Sequence, residues 1–119
     1  MSEQRSAAER VPPHDLEAEA ALLGAMMLDR EVVADVADLV HGDDFYLESH
    51  RLIFDAVSAL DAKGAVVDTL TVKDELRRQK SFERVGGAET IVRLLESVPS
   101  AAGARYHAEI VRGCAKLRS

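Results

Sequence analysis

The chain has 119 residues, 47% of them apolar, and a formal net charge of −6. That length sets one domain, and that apolar share is enough for a single packed core. The acidic balance argues against a general nucleic-acid coat, which needs clustered Lys and Arg to meet phosphates.

The charge is uneven: residues 1–59 hold 13 acids against 4 bases, and residues 60–119 hold 8 against 11. Solvated helix faces account for this distribution; the sharper reading is complementary docking between copies of the domain. With no Trp, three Phe and two Tyr, the interior must be filled by Leu, Val, Ile, Met and Ala, which suits helix-on-helix packing. Cys114 is the only cysteine, so an internal disulfide is excluded and a reducing compartment fits. The longest apolar run, Ala20 to Leu28, is nine residues and follows acids. It is too short to span a membrane and wrongly flanked for a signal peptide, so a cytoplasmic protein without a membrane partner is expected.

Residues 1–10 are polar and aperiodic and read as a disordered arm. Pro12 and Pro13 stiffen the exit from it. Asp15 is the expected N-cap of a first helix, with Glu17 and Glu19 in the first turn, where the helix dipole favours acids. Leu16, Ala20, Leu23 and Met27 then fall on one face, widened by Leu22 and Met26. A second helix is expected over Glu31 to Val40, ended by Gly42. Asp43-Asp44 precede Phe45-Tyr46 in a short connector, and either acid would cap the next helix. The spacing predicts this third helix from about Glu48 to Ala62, with Ile53, Phe54, Val57 and Leu60 inward and Gly64 as its stop.

Asp68 and Thr71 are both cap candidates for a fourth helix ending near Lys80. Its inner residues are Val72 and Leu76; Lys73, Arg77 and Lys80 share the outer face. After the turn Val85-Gly86-Gly87, a fifth helix carries Ile91, Leu94, Leu95 and Val98 and closes at Pro99. Ser100 caps a sixth, with Tyr106, Ile110, Gly113 and Leu117 on one face and Val111 and Cys114 beside it. That helix is still running at Ser119, where a continuation is expected. The result is an all-α bundle of about six helices. Residues 11–99 form the globular part and 100–119 the start of a further helical element. Leu23, Met27, Phe45, Ile53, Phe54, Val57, Leu76, Leu94 and Leu95 are the expected core.

Four blocks stand in order along residues 11–118. The first is Pro12-Pro13-His14 with Glu17-Ala18-Glu19, Leu23-Gly24 and Met27-Leu28-Asp29. The second is Asp43-Asp44-Phe45-Tyr46 with His50-Arg51 and Ile53-Phe54. Gly64, Asp68, Thr71-Val72, Leu76 and Val85-Gly86-Gly87 make the third. Val98-Pro99-Ser100-Ala101-Ala102, Tyr106 and Ile110-Val111-Arg112 make the fourth. In this order and spacing the chain resembles the N-terminal domain of bacterial replicative DNA helicases of the DnaB type.

The resemblance implies a globular bundle followed by a helical hairpin, of which the sixth helix is the first arm. Hairpins of two subunits would pair, and a collar of such domains would steady a hexameric ring. Tyr106, Ile110, Val111, Cys114 and Leu117 would form the subunit contact. Primase would dock on the collar, with Thr90 and Asp68 facing it, and a helicase loader is a further expected partner. ATP and Mg would belong to a motor domain further along. This sequence has no Gly-x-x-x-x-Gly-Lys-Ser/Thr phosphate loop, so no cofactor, metal or catalytic residue is expected in it. The chain departs from the family pattern at Thr90, usually an aromatic, at Gly103, usually Asn, and at Arg112-Gly113-Cys114, usually more charged. The two glycines are expected to weaken the last helix, at about 1 kcal/mol each relative to Ala.

Two alternatives come from the residues themselves. His14-Asp15, with His41, Asp43, Asp44, His50 and His107, offers ligands to an all-helical metal phosphohydrolase of the HD type; but no His precedes His14, where such a site needs one. Lys73, Arg77, Lys80 and Arg84 offer a weak DNA contact, without stacking aromatics nearby except Phe82. A stand-alone helical interaction module is the remaining alternative. His50 is expected to be a partly buried helix residue, and His107 a surface or interface one.

Overall fold

The computed structural model describes residues 12–98 and 100–119. Among them are six α-helices and no strand. The helices are α1 (Leu16–Leu28), α2 (Arg30–Val36), α3 (Glu48–Ala62), α4 (Thr69–Arg78), α5 (Gly87–Glu96) and α6 (Ala104–Arg118), with 3-10 turns at Gly42–Asp44 and Ala101–Gly103. The expected all-α bundle is therefore what forms. The arm over residues 1–10 and the stop at Pro99 lie outside the described residues.

Asp15 caps α1 by accepting the Ala18 N–H at 3.0 Å. Beyond that first turn α1 departs from the one-faced helix expected: every residue from Ala21 to Met27 is buried, while Leu16 stays exposed. A helix apolar on all sides belongs inside a bundle, and α1 lies against α3, α5 and α6. Gly24 sets the closest approach: a Cβ there would stand 2.5 Å from the Leu94 carbonyl oxygen of α5.

α2 is shorter than expected. It stops at Val36, and Val40 reaches the core from a turn held by its N–H on the Val36 carbonyl. Gly42 opens a 3-10 turn instead of ending a helix. α3 has the expected bounds, and Ile53, Phe54, Val57 and Leu60 are buried. Phe45 has no exposed surface and its ring stands 5.1 Å from that of Phe54. Neither Asp43 nor Asp44 caps α3. Asp44 instead takes the His41 N–H, and the N–H groups entering α3 are met by Glu19 of α1.

Asp68 is the cap of α4, and Thr71 answers it in a reciprocal capping box. α4 ends at Arg78, and Lys80, at φ 62, sits beyond it in the left-handed region. Gly86, at φ 102, begins α5; a Cβ there would collide with the Thr90 hydroxyl. Ile91, Leu94 and Val98 face in, but Leu95 is only half-buried, on the shoulder of the helix. Ser100 caps the 3-10 turn at Ala101–Gly103, one turn before the helix it was expected to cap.

α6 lies along α1 and α2, and its Ala104, Ala108 and Val111 are part of the common core. It runs unbroken through Gly113.

Candidate protein-interaction surface

One residue organises the centre of the bundle. Glu19 is 1% exposed. Its carboxylate accepts the Tyr46 N–H at 2.6 Å, the Leu47 N–H at 3.5 Å, and Nδ1 of His50 at 2.7 Å. Leu47 is the N-cap position of α3 and has no capping side chain of its own. A carboxylate on α1 thus supplies the acceptors that this helix entrance lacks. By sequence Glu19 is one of the first-turn acids. The signal for its burial is spacing: Leu22 and Leu23 follow at i+3 and i+4, so Glu19 shares their inward face.

His50, expected to be partly buried, is 6% exposed and is among the residues lining an open groove of about 720 Å³. The lining comes from α1, α5, α6 and the start of α3, with Leu16, Leu47, Leu94 and Ile110 among the apolar residues. Thr90 and Arg93 of α5 and Tyr106 and His107 of α6 complete the rim.

α6 presents its outer edge beside this groove. Tyr106 is 65% exposed and Leu117 74%; Ile110 and Cys114 are half-buried. Val111 is the correction among the expected contact residues: at 1% exposure it is closed inside the bundle. The reason is angular. Five residues from Tyr106 is about 140° round a helix, so the two cannot share one edge. Of the two expected primase-facing residues, Thr90 lines the groove, whereas Asp68 is held in the α4 cap.

Of the four basic residues expected to offer a weak DNA contact, Lys80 is exposed and the others have neighbours. Arg77 lies over the Phe82 ring at 4.3 Å and pairs with Asp74 at 3.4 Å. Arg84 pairs with Glu48 of α3, and Lys73 is half-buried. On the inner side of the same helix Glu75, which nothing in the sequence singles out, is 4% exposed and accepts from Lys63, Arg78 and Gln79. The Arg78 guanidinium foremost, then Lys63 and Gln79, hold its carboxyl down to about 2 against the opposing effect of burial. Asp55 is shifted the other way, upward, by burial first and by Asp43 second, with Arg51 partly offsetting both.

Several of the residues weighed for a metal centre go into local structure. His14 donates through Nδ1 to the Pro12 carbonyl at 2.7 Å and stacks on Tyr46 with centroids 4.2 Å apart. Asp15 caps α1, His41 opens the first 3-10 turn, and His50 is taken by Glu19. Among the described residues no three His, Cys, Asp or Glu side chains gather to hold a metal ion, and no helix is long and apolar enough to cross a membrane.

A helical bundle that leaves an apolar groove and an apolar helix edge open to solvent has the build of a protein-interaction domain. Comparison with known proteins shows the family. Residues 11–113 match the family model of the DnaB-like helicase N-terminal domain, and the chain belongs to that family. It is 47% identical over 110 residues to the replicative DNA helicase DnaB of Leifsonia xyli, covering 92% of this chain and 24% of that protein. Against the same helicase of Mycobacterium leprae it is 41% identical over 109 residues, covering 92% of this chain and 18% of the relative. The chain therefore spans a quarter or less of the length of these curated relatives. The crystal structure of the N-terminal domain of DnaB helicase from Mycobacterium tuberculosis superposes with a TM-score of 0.88 at 41% identity, covering 90% of this chain and 78% of that one.

Proposed function

We propose that this chain is the collar portion of a cytoplasmic replicative DNA helicase. In this reading it pairs subunits, steadies a hexameric ring and receives primase, and a helicase loader is a further partner. ATP and Mg act in the motor portion, and DNA is met there and only weakly here. The observation that carries the reading is the outer edge of α6, where Tyr106 and Leu117 stand exposed beside the groove on a domain of this family. Exposed apolar side chains gathered on one edge favour a protein partner over a solvated face. The Arg77–Phe82 and Arg84–Glu48 contacts leave the DNA-contact reading weaker, since both cations are already engaged.

Sedimentation equilibrium of the chain, with and without Leu117→Asp, tests the pairing. Concentration-dependent self-association that the substitution weakens is expected. A wild-type chain that stays monomeric into the high-micromolar range would count against it. Titration with purified primase tests the second role. Saturable binding that a groove-rim substitution at Thr90 weakens is expected, and no binding at all would remove primase from the reading.

A further inference from the structure

We propose that the last two turns of α6 are a strap, and that Arg118 is the clasp fastening it to the bundle; this holds whichever partner the domain meets. α6 is anchored in the core by Ala104, Ala108 and Val111. Beyond Val111 none of its residues is buried, and none of its apolar residues joins the core or packs against it. Gly113 stands at the start of that stretch with open space where a Cβ would be. It adds no packing and lowers the helical preference of the segment. About two turns without apolar burial are marginal as a helix on their own. Yet α6 is continuous to Arg118. Polar contacts have to hold its end.

Arg118 does so by bridging places far apart in the chain. Its Nη1 donates to the Pro13 carbonyl at 2.9 Å, 105 residues away, and its Nη2 to the Asp44 carbonyl at 2.7 Å, 74 residues away. Its guanidinium carbon stands over the Tyr46 ring, 5.5 Å from the centroid, within reach of cation–π attraction. Tyr46 is itself stacked on His14, and its N–H is held by the buried Glu19. The clasp therefore grips two carbonyls and a ring that the bundle already fixes. Arg112 reaches the Asp44 carboxylate at 3.5 Å and steadies the turn before. Gly113, directly after Arg112, is the hinge, being the residue with the freest backbone. A grip that is local and polar can open while the core stays closed. Leu117, at 74% the most exposed large apolar side chain of the described residues, rides on the strap, so the clasp also sets where that side chain stands.

Amide hydrogen exchange followed by NMR tests the clasp on the whole chain. In wild type, protection is expected to continue from Val111 through Leu117. Arg118→Met keeps an apolar stem and drops the charge and both donors. It is expected to speed exchange at Cys114, Ala115, Lys116 and Leu117 about tenfold, for two charge-assisted hydrogen bonds lost near the surface. Ala108 and Val111 should keep their rates. Lys116→Met takes the same charge from the same turn, and is expected to leave all these rates within about twofold of wild type. Equal effects of the two variants would mean that charge at the helix end, and not the clasp, decides how α6 is held. Unprotected amides beyond Val111 in wild type would mean that no strap is docked. Acceleration spread evenly over the chain in Arg118→Met would also overturn the proposal, since the arginine would then serve global stability alone.

Discussion

Oε1 of Glu19 lies 2.7 Å from Nδ1 of His50, joining α1 to α3 across 31 residues of chain inside the bundle. Both side chains are buried, at 2% and 8% exposure. Removing one partner leaves the other buried and unpaired. Glu19→Ala is expected to cost about 3–5 kcal/mol, because it also frees the Tyr46 and Leu47 N–H groups. Urea denaturation of Glu19→Ala, His50→Ala and the double variant measures the coupling. The double variant should lose clearly less than the sum of the singles; simple additivity would mean the two residues act apart.

Glu75 makes acid stability legible. Its carboxyl is held at about 2, below its ordinary 4.5, chiefly by Arg78. A depressed folded-state value stabilises the fold above the ordinary value, and that contribution drains as pH falls from 4.5 toward 2. Urea midpoints measured between pH 6 and pH 3 should fall less steeply in Glu75→Gln than in wild type. Equal slopes would show that Glu75 does not contribute to acid sensitivity.

Packing at the helix crossings gives a third expectation. Gly24→Ala pushes a methyl to within 2.5 Å of the Leu94 carbonyl, where backbone has to yield. A loss of about 1–3 kcal/mol is expected. Phe54→Ala empties the site facing Phe45, with a loss of about 3–5 kcal/mol. Thermal melts compare both with wild type; a Gly24→Ala chain as stable as wild type would mean that α1 and α5 can separate at no cost.

The two edges of α6 should answer differently to charge. Val111→Asp buries an unpaired carboxyl at a site 1% exposed and should unfold the domain, read by circular dichroism. Leu117→Asp, at a site 74% exposed, should keep full helicity and weaken self-association only. The reverse pattern would mean that α6 is turned about its axis relative to this structure.

Much of this architecture is written locally. Capping at Asp15 and Asp68, the stripe of α3 and the turn at Gly86 rest on interactions within a few residues, so the one-dimensional pattern carries them. Family membership is equally legible, because four short blocks keep their order and spacing. What the chain could not announce was decided between helices. Glu19 reads as one more first-turn acid until α3 arrives with two N–H groups and an imidazole. Glu75 reads as a solvated residue until Lys63 and Arg78 close over it. α1 reads as one-faced, yet α5 and α6 pack on its remaining sides. Val111 reads as part of an exposed patch until α6 docks and turns it inward. Even the groove exists in no single segment, since its lining comes from four helices. Burial and polar satisfaction depend on what lies across space, whereas caps and periodicity depend on what lies along the chain, and that is the line between what sequence determined and what only the tertiary structure decided.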